Sequence, residues 1–202
     1  MKKQDYDKVL NITTTGEQVG FNKVTYYHRY EATPYEGLEL LCQQYEMTSK
    51  DHVVDFGCGK GRLNFYLHYH YGATVTGVEM NDDYYCDAIE NKKRYAKKVA
   101  KGTDNIHFYH GYAEDYVIQP SDNKFYFFNP FSINIFRKIT ANILCSVEEV
   151  ARDVELIFYY PSEEYIFYLE NSTPFEYKQE IILPGLYKNN DSERFVVYRL
   201  TY

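Results

Sequence analysis

The sequence predicts a doubly wound α/β fold, a mostly parallel sheet with helices on both faces, on three observations. After residue 50 strand-like runs alternate with helix-like runs. Each strand-like run ends at a turn, a glycine or a proline, and the last two follow one another with no helix between them. At 202 residues the chain reads as one domain: an N-terminal segment and helix over 1–50 that can act as a lid, and a core over 51–202.

The elements follow in order. In "TPYEGLELLCQQYEM", Thr33 is suited to cap a helix, Pro34 to take its first position and Glu36 to close a capping box. Leu38, Leu41, Cys42 and Tyr45 then share one face. Strands are expected at 52–57, 73–80, 106–110, 124–129 and 154–160, with helices at 61–71, 82–100, about 132–152 and 162–170 between and after them. Two further strands, 175–183 and 193–201, joined by "PGLYKNNDS", read as an antiparallel hairpin at the sheet edge.

Composition excludes several classes. The content of 45% hydrophobic and 25% charged residues is that of a folded protein, with disorder confined at most to the first dozen or so residues. A formal charge of -7 argues against strong nonspecific DNA binding, which needs a surplus of Lys and Arg. The basic run Lys92, Lys93, Arg94, Lys97, Lys98 and Lys101 reads as a solvated helix face. Cys42, Cys58, Cys86 and Cys145 are too scattered for a disulfide framework or a zinc site. No apolar leader or membrane-length run is present, so a cytoplasmic protein with no membrane partner is expected. With 24 Tyr and 13 Phe, a single aromatic residue says little about function.

The stretch "VVDFGCGKGR" sets Gly57, Gly59 and Gly61 behind Asp55 at the end of the first core strand. Missing Cβ atoms let a ligand approach the backbone, and the following helix offers free N–H groups. Dinucleotide sites place a third glycine or alanine where Arg62 stands. An acid such as Asp55 would repel a pyrophosphate but suits a ligand bearing an ammonium and a sulfonium. The pattern D-x-G-x-G-x-G resembles the first motif of the class I S-adenosylmethionine (SAM)-dependent methyltransferases, a Rossmann-like family with a seven-stranded sheet.

That resemblance implies SAM as cofactor, lying against Asp55, Phe56, Gly57, Cys58, Gly59 and Gly61. Glu79, 24 residues beyond Asp55 and followed by Met80, stands where an acid would accept both ribose hydroxyls. "HGYAEDY" resembles the family's adenine motif, often G-D-A-x-D, with Ala113 and Glu114 as contacts. Tyr112 replaces the usual acid there, so the adenine contact passes to Glu114 or Asp115, or Tyr112 stacks on the ring.

The fourth core strand ends in "FYFFNPF". Asn129, Pro130 and Phe131 resemble a shortened form of the [DN]-P-P-[YF] motif carried by methyltransferases of planar nitrogen. Such a nitrogen has a delocalised lone pair and reacts only when that pair is aimed. The Asn129 side-chain oxygen and the Pro130 carbonyl would accept from the NH₂ group, and Phe131 would stack on the flat acceptor. No metal is called for. The bland alternative is a strand-ending turn.

His68 and His70 are two residues apart on a helix and face different ways, so they make no metal pair. Lys60 and Arg62 read as solvated, with anchoring of the cofactor carboxylate or of a substrate phosphate as the alternative. Recognition of the acceptor falls to the N-terminal "TYYHRYEATPY", the loop after Phe131 and "PGLYKNNDS". Tyr26, Tyr27, Tyr30 and Tyr35 are lid candidates, although packing of the first helix on the sheet is the more economical reading. The expected activity is methyl transfer from SAM to an acceptor in RNA, protein or a small molecule. A non-catalytic SAM-binding module and a NAD-dependent enzyme are the competing readings, the latter disfavoured by Asp55 and Arg62.

Overall fold

A computed structural model describes residues 5–16, 31–99 and 102–202. Seven strands, β1 His52–Phe56, β2 Thr74–Glu79, β3 Ile106–His110, β4 Lys124–Phe127, β5 Val154–Tyr159, β6 Glu176–Ile182 and β7 Arg194–Leu200, form one sheet in the order β3-β2-β1-β4-β5-β7-β6. Strands β1 to β5 are mutually parallel, and β7 runs antiparallel to both β5 and β6. The expected hairpin is there with its second strand inside and its first at the edge. Its connection contains a single helical turn, Pro184–Tyr187, that the sequence pattern did not suggest.

Alternation along the strands sorts the core into two layers. Val53, Val75, Tyr126 and Ile157 face α1 (Tyr6–Leu10), α2 (Tyr35–Gln44), α3 (Arg62–Tyr71) and α4 (Asp82–Ala96). Val54, Phe56, Phe125, Phe127 and Phe158 face α5 (Ile133–Glu149) and α6 (Glu163–Ser172). Parallel strands covered on both faces must be apolar along nearly their whole length, and "FYFF" and "LIFY" are. Helix α4 ends four residues earlier than its pattern suggested. Among the described residues no helix is long and apolar enough to cross a membrane.

The N-terminus carries a helix that the sequence pattern did not suggest, and the expected cap of α2 is corrected. Residues 5–16 are ordered by α1, capped by the Asp5 side chain at 3.4 Å from the Lys8 N–H, with Tyr6 and Leu10 buried against α3. Thr33 does not cap α2. Its hydroxyl is buried and shares a 2.7 Å hydrogen bond with the hydroxyl of Tyr126 on β4, which leaves Pro34 at the N-cap position without a side-chain cap.

Candidate active site

The sheet reverses its winding between β1 and β4, which opens a crevice at the carboxyl ends of those strands, the usual place for a ligand in an open α/β sheet. The turn after β1 fills one side of it. Gly57, Gly59 and Gly61 all have left-handed backbones, φ +80°, +53° and +82°, and Gly61 is the N-cap of α3. A Cβ at Gly61 would lie 2.9 Å from the Phe108 ring, and one at Gly57 would lie 2.9 Å from Cβ of Pro130. The turn hangs on β2, because the Gly57 and Cys58 N–H groups both donate to the Val78 carbonyl. Gly77, which sequence reasoning passed over, admits Cys58 against β2: a Cβ there would lie 2.6 Å from the Cys58 sulfur. A lone glycine inside a strand was the available signal.

Two acids stand behind the turn, both nearly inaccessible: Asp55 is 4% and Glu79 8% exposed. Glu79 accepts from the Gly59 N–H at 2.9 Å and from the Asn81 N–H at 2.8 Å, so it ties the glycine turn to the start of α4. Asn64 on α3 donates to Asp55 at 3.1 Å and accepts from the Gly77 N–H at 3.1 Å. Burial, and then the neighbouring charge of Glu79, pushes the Asp55 carboxyl up to about 8. Burial also raises Glu79, against the pull of the Asn81, Gly59 and Met80 amides. Such a pair invites a cation, which would relieve both. The same burial and charges hold the Cys58 thiol well above its ordinary range, so it is no nucleophile.

At the end of β3, the Gly111 N–H donates to the Glu79 carbonyl at 3.0 Å and a 3-10 turn covers Ala113–Asp115. Ala113 is buried, Tyr112 is half exposed, and Asn142 of α5 holds the Glu114 carbonyl at 2.9 Å. The Glu114 carboxylate lies 3.7 Å from Lys138.

Across the crevice is the loop after β4. Asn129 has φ +39°, a conformation uncommon for a residue with a side chain, and Pro130 abuts Gly57. Phe131 is not placed to stack on an acceptor. It is 1% exposed, meets Phe127 edge-on at 6.3 Å, and its carbonyl accepts from the Tyr165 hydroxyl. Phe128 is the open ring: with Tyr159 and Tyr160 it lines a cavity of about 540 Å³.

Arg62 is bound, not solvated. Its Nε donates to the Thr14 hydroxyl at 2.7 Å and Nη1 to the Thr33 carbonyl at 3.1 Å, while its plane lies 4.6 Å from the Tyr35 ring. Asn91 on α4 completes the clamp, accepting from the Thr13 N–H at 2.8 Å and donating to the Lys60 carbonyl at 3.0 Å. Lys60 pairs with Asp87 at 3.0 Å. Tyr35 packs between Tyr6 and Tyr66 and donates to Asp7, as packing rather than a lid would require. Tyr26, Tyr27 and Tyr30 lie outside the described residues. His68 is buried in a 2.9 Å hydrogen bond with Tyr95, and His70 packs on the Tyr66 ring. Among the described residues no three His, Cys, Asp or Glu side chains gather as metal ligands.

The profile of a family described as a methyltransferase domain matches residues 33–155. No curated protein matches the chain in sequence. Among solved structures, an inferred RNA methyltransferase of Pyrococcus horikoshii is similar at 16% identity and TM-score 0.61, covering 99% of this chain and 98% of its own. An RNA methyltransferase of Salinibacter ruber, solved with S-adenosylhomocysteine, is 18% identical with TM-score 0.56, covering 85% of this chain and 92% of its own. A geranyl diphosphate C-methyltransferase of Streptomyces coelicolor is 11% identical with TM-score 0.55, covering 82% and 77%. At these identities the likeness is one of fold.

Proposed function

The chain belongs to the methyltransferase-domain family, and from that premise we propose that it transfers a methyl group from SAM to a planar nitrogen oriented by Asn129 and Pro130. The observation that carries this reading is the abutment of Gly57 on Pro130, which joins a cofactor-type glycine turn to an acceptor-type loop in one crevice.

The residues fit the cofactor. Three left-handed glycines keep the turn after Phe56 bare of side chains at alternate positions, packed at Gly57 on Pro130 and at Gly61 on Phe108, with the Gly57 and Cys58 amides holding it on β2. Asp55 is suited to the ammonium group, whose charge would draw the buried carboxyl into its ionised form. Glu79 already accepts two amides, yet a carboxylate has further lone pairs for two ribose hydroxyls. Met80, Ala113 and Glu114 then flank the adenine side. Neighbours solved with S-adenosylhomocysteine support the assignment. Bound there, the cofactor supplies a methyl group activated on a sulfonium.

The chain's own part is alignment. Asn129 and the Pro130 carbonyl accept N–H groups of the acceptor and turn its lone pair toward the crevice. Buried Phe131 is a buttress that fixes their position. In this reading the core, 51–202, carries the site, and 1–50 is the N-terminal segment and helix. The four free cysteines suit a cytoplasmic protein. RNA, protein and small molecules remain the acceptor classes, and the RNA methyltransferases among the structural neighbours keep RNA among them.

The test is transfer of labelled methyl from SAM into lysate of cells lacking the protein, by wild type and Asn129→Ala, with nuclease and protease digestion afterwards. Label from wild type alone supports the reading. Binding of SAM by both without transfer by either would leave a cofactor-binding module.

A further inference from the structure

Phe128, the residue before Asn129 in the chain, lines a cavity of about 540 Å³ at the carboxyl ends of β4 and β5. Its wall is aromatic on one side: Phe128 and Tyr159 have ring centroids 4.7 Å apart, and Tyr160 lies 6.4 Å from Phe128. Among the described residues its charged lining is mainly acidic, with Glu31 and Glu193 facing the same space. Arg62 is the sole cation among the described lining residues, and its Nε and Nη1 donate within the protein to Thr14, Ala32 and Thr33. The guanidinium is thus partly engaged within the protein, while the two carboxylates bring acceptor oxygens to the cavity.

Two details fix the geometry of the wall. The Tyr159 hydroxyl donates to Glu193, which fixes that carboxylate in place. Tyr160 has φ +53°, a left-handed conformation in a residue with a bulky side chain, and Asn190 anchors its hydroxyl at 2.8 Å. Strain of this kind persists only where the surroundings enforce it, and it clusters at ligand sites.

We infer that the methyl acceptor is a guanidinium group, held between the carboxylates of Glu31 and Glu193 and the rings of Phe128 and Tyr160. The inference rests on the planar-nitrogen reading of Asn129 and narrows it. An acceptor bearing phosphates would bring negative charge against two carboxylates. An alkylammonium would satisfy the carboxylates but has no lone pair while protonated. A guanidinium is flat, cationic and rich in N–H donors, so it stacks on aromatic faces, pairs with carboxylates through parallel hydrogen bonds, and still offers N–H groups to Asn129 and Pro130.

The step balances. One guanidinium nitrogen forms a bond to the methyl carbon as the carbon–sulfur bond of the sulfonium breaks, its electron pair remaining on sulfur. The proton displaced from that nitrogen passes to a lining carboxylate and then to water. The product is a methylguanidinium of unchanged charge and a neutral thioether.

The guanidinium has two sources, an arginine side chain in a protein or a free guanidino compound. Calorimetric titration of the protein saturated with S-adenosylhomocysteine distinguishes them, using an acetylated Gly-Arg-Gly amide, agmatine, their lysine and cadaverine counterparts, and a short RNA. At least one guanidinium ligand should bind, more tightly than its amine counterpart, and accept label from SAM. Loss of a charge-assisted hydrogen bond in Glu193→Gln should weaken that binding about tenfold or more. Glu31→Gln, at an exposed position, provides the same test with little risk to folding. Binding of both peptide and agmatine points to recognition of the group alone, and binding of one names its source. If neither guanidinium ligand binds, or if RNA binds and is methylated equally by wild type and Glu193→Gln, the inference is overturned while the planar-nitrogen reading survives. If S-adenosylhomocysteine itself does not bind, both fall.

Discussion

Gly57 and Pro130 touch across the switch point of the sheet so closely that a Cβ on the glycine would lie 2.9 Å from the proline Cβ. One residue follows β1 and the other follows β4. Their contact sets the width of the crevice, so the cofactor turn and the acceptor loop cannot be moved independently.

Gly57→Ala should therefore damage both. The added methyl must push Pro130 aside, and φ +80° is unfavourable for alanine. Overpacking of this kind costs about 1–3 kcal/mol, which for a chain of this size is a fall of roughly 2–12 °C in Tm. Thermal melts and titration with S-adenosylhomocysteine should show lost stability and weakened binding together. Unchanged binding would mean that the crevice is not the cofactor site.

Asp55 makes a prediction about pH. Its carboxyl is pushed from an ordinary 3.8 up to about 8 by burial and by Glu79. Over that interval the folded protein holds a proton that the unfolded chain has released, so stability without ligand falls as pH rises from about 4 to about 8. An ammonium group favours the ionised form, so cofactor binding should expel a proton and tighten as pH rises toward about 8. Asp55→Asn should flatten both profiles, stabilise the free protein at the alkaline end and weaken binding. Melts across pH and calorimetry in buffers of different ionisation heat measure these effects, and a pH-independent affinity would contradict them.

Glu79→Gln tests the tie between the glycine turn and α4. Glutamine has one acceptor oxygen where Gly59 and Asn81 present two N–H groups, so one amide is left facing an NH₂ group. An unsatisfied buried donor costs about 1–3 kcal/mol. The expected result is at least a tenfold loss of cofactor affinity, larger than the loss from Glu114→Gln, whose carboxylate lies beside Lys138.

Arg62→Met should loosen residues 12–16 and 31–35 without disturbing the far layer. The variant keeps the stem of the side chain but loses its contacts to Thr14, Thr33 and the Tyr35 ring. Hydrogen exchange should quicken in those two segments and stay slow in α5 and α6. Equal quickening throughout would show that Arg62 supports the whole fold rather than the clamp.

Much of this architecture was legible in the sequence because buried parallel strands leave short apolar runs ended by glycine or proline, and those runs lie within one or two residues of the observed strands. Two misreadings share one physical cause, the spending of a polar group on a partner distant in sequence. Thr33 bonds to Tyr126 instead of capping α2. Arg62 reaches Thr14 and Thr33 rather than solvent. Phe131 was chosen over Phe128 by motif position, whereas strand parity puts Phe125 and Phe127 in one layer and Tyr126 and Phe128 toward the other. Helix α1 escaped notice because a single turn carrying Tyr6 and Leu10 is too short to show a period.

Asn129 admits a variant that separates its two roles. Its φ of +39° belongs to a turn that glycine enters more readily, so Asn129→Gly should keep or slightly raise stability. If the side-chain oxygen aims the acceptor lone pair, the same variant should lose kcat by about a hundredfold or more, because misorientation of the reacting groups costs that much. Cofactor affinity should be unchanged, since the glycine turn and Glu79 are untouched. Full activity in Asn129→Gly would show that the position serves only to end β4, and the acceptor would then have to be oriented by the lining of the cavity alone.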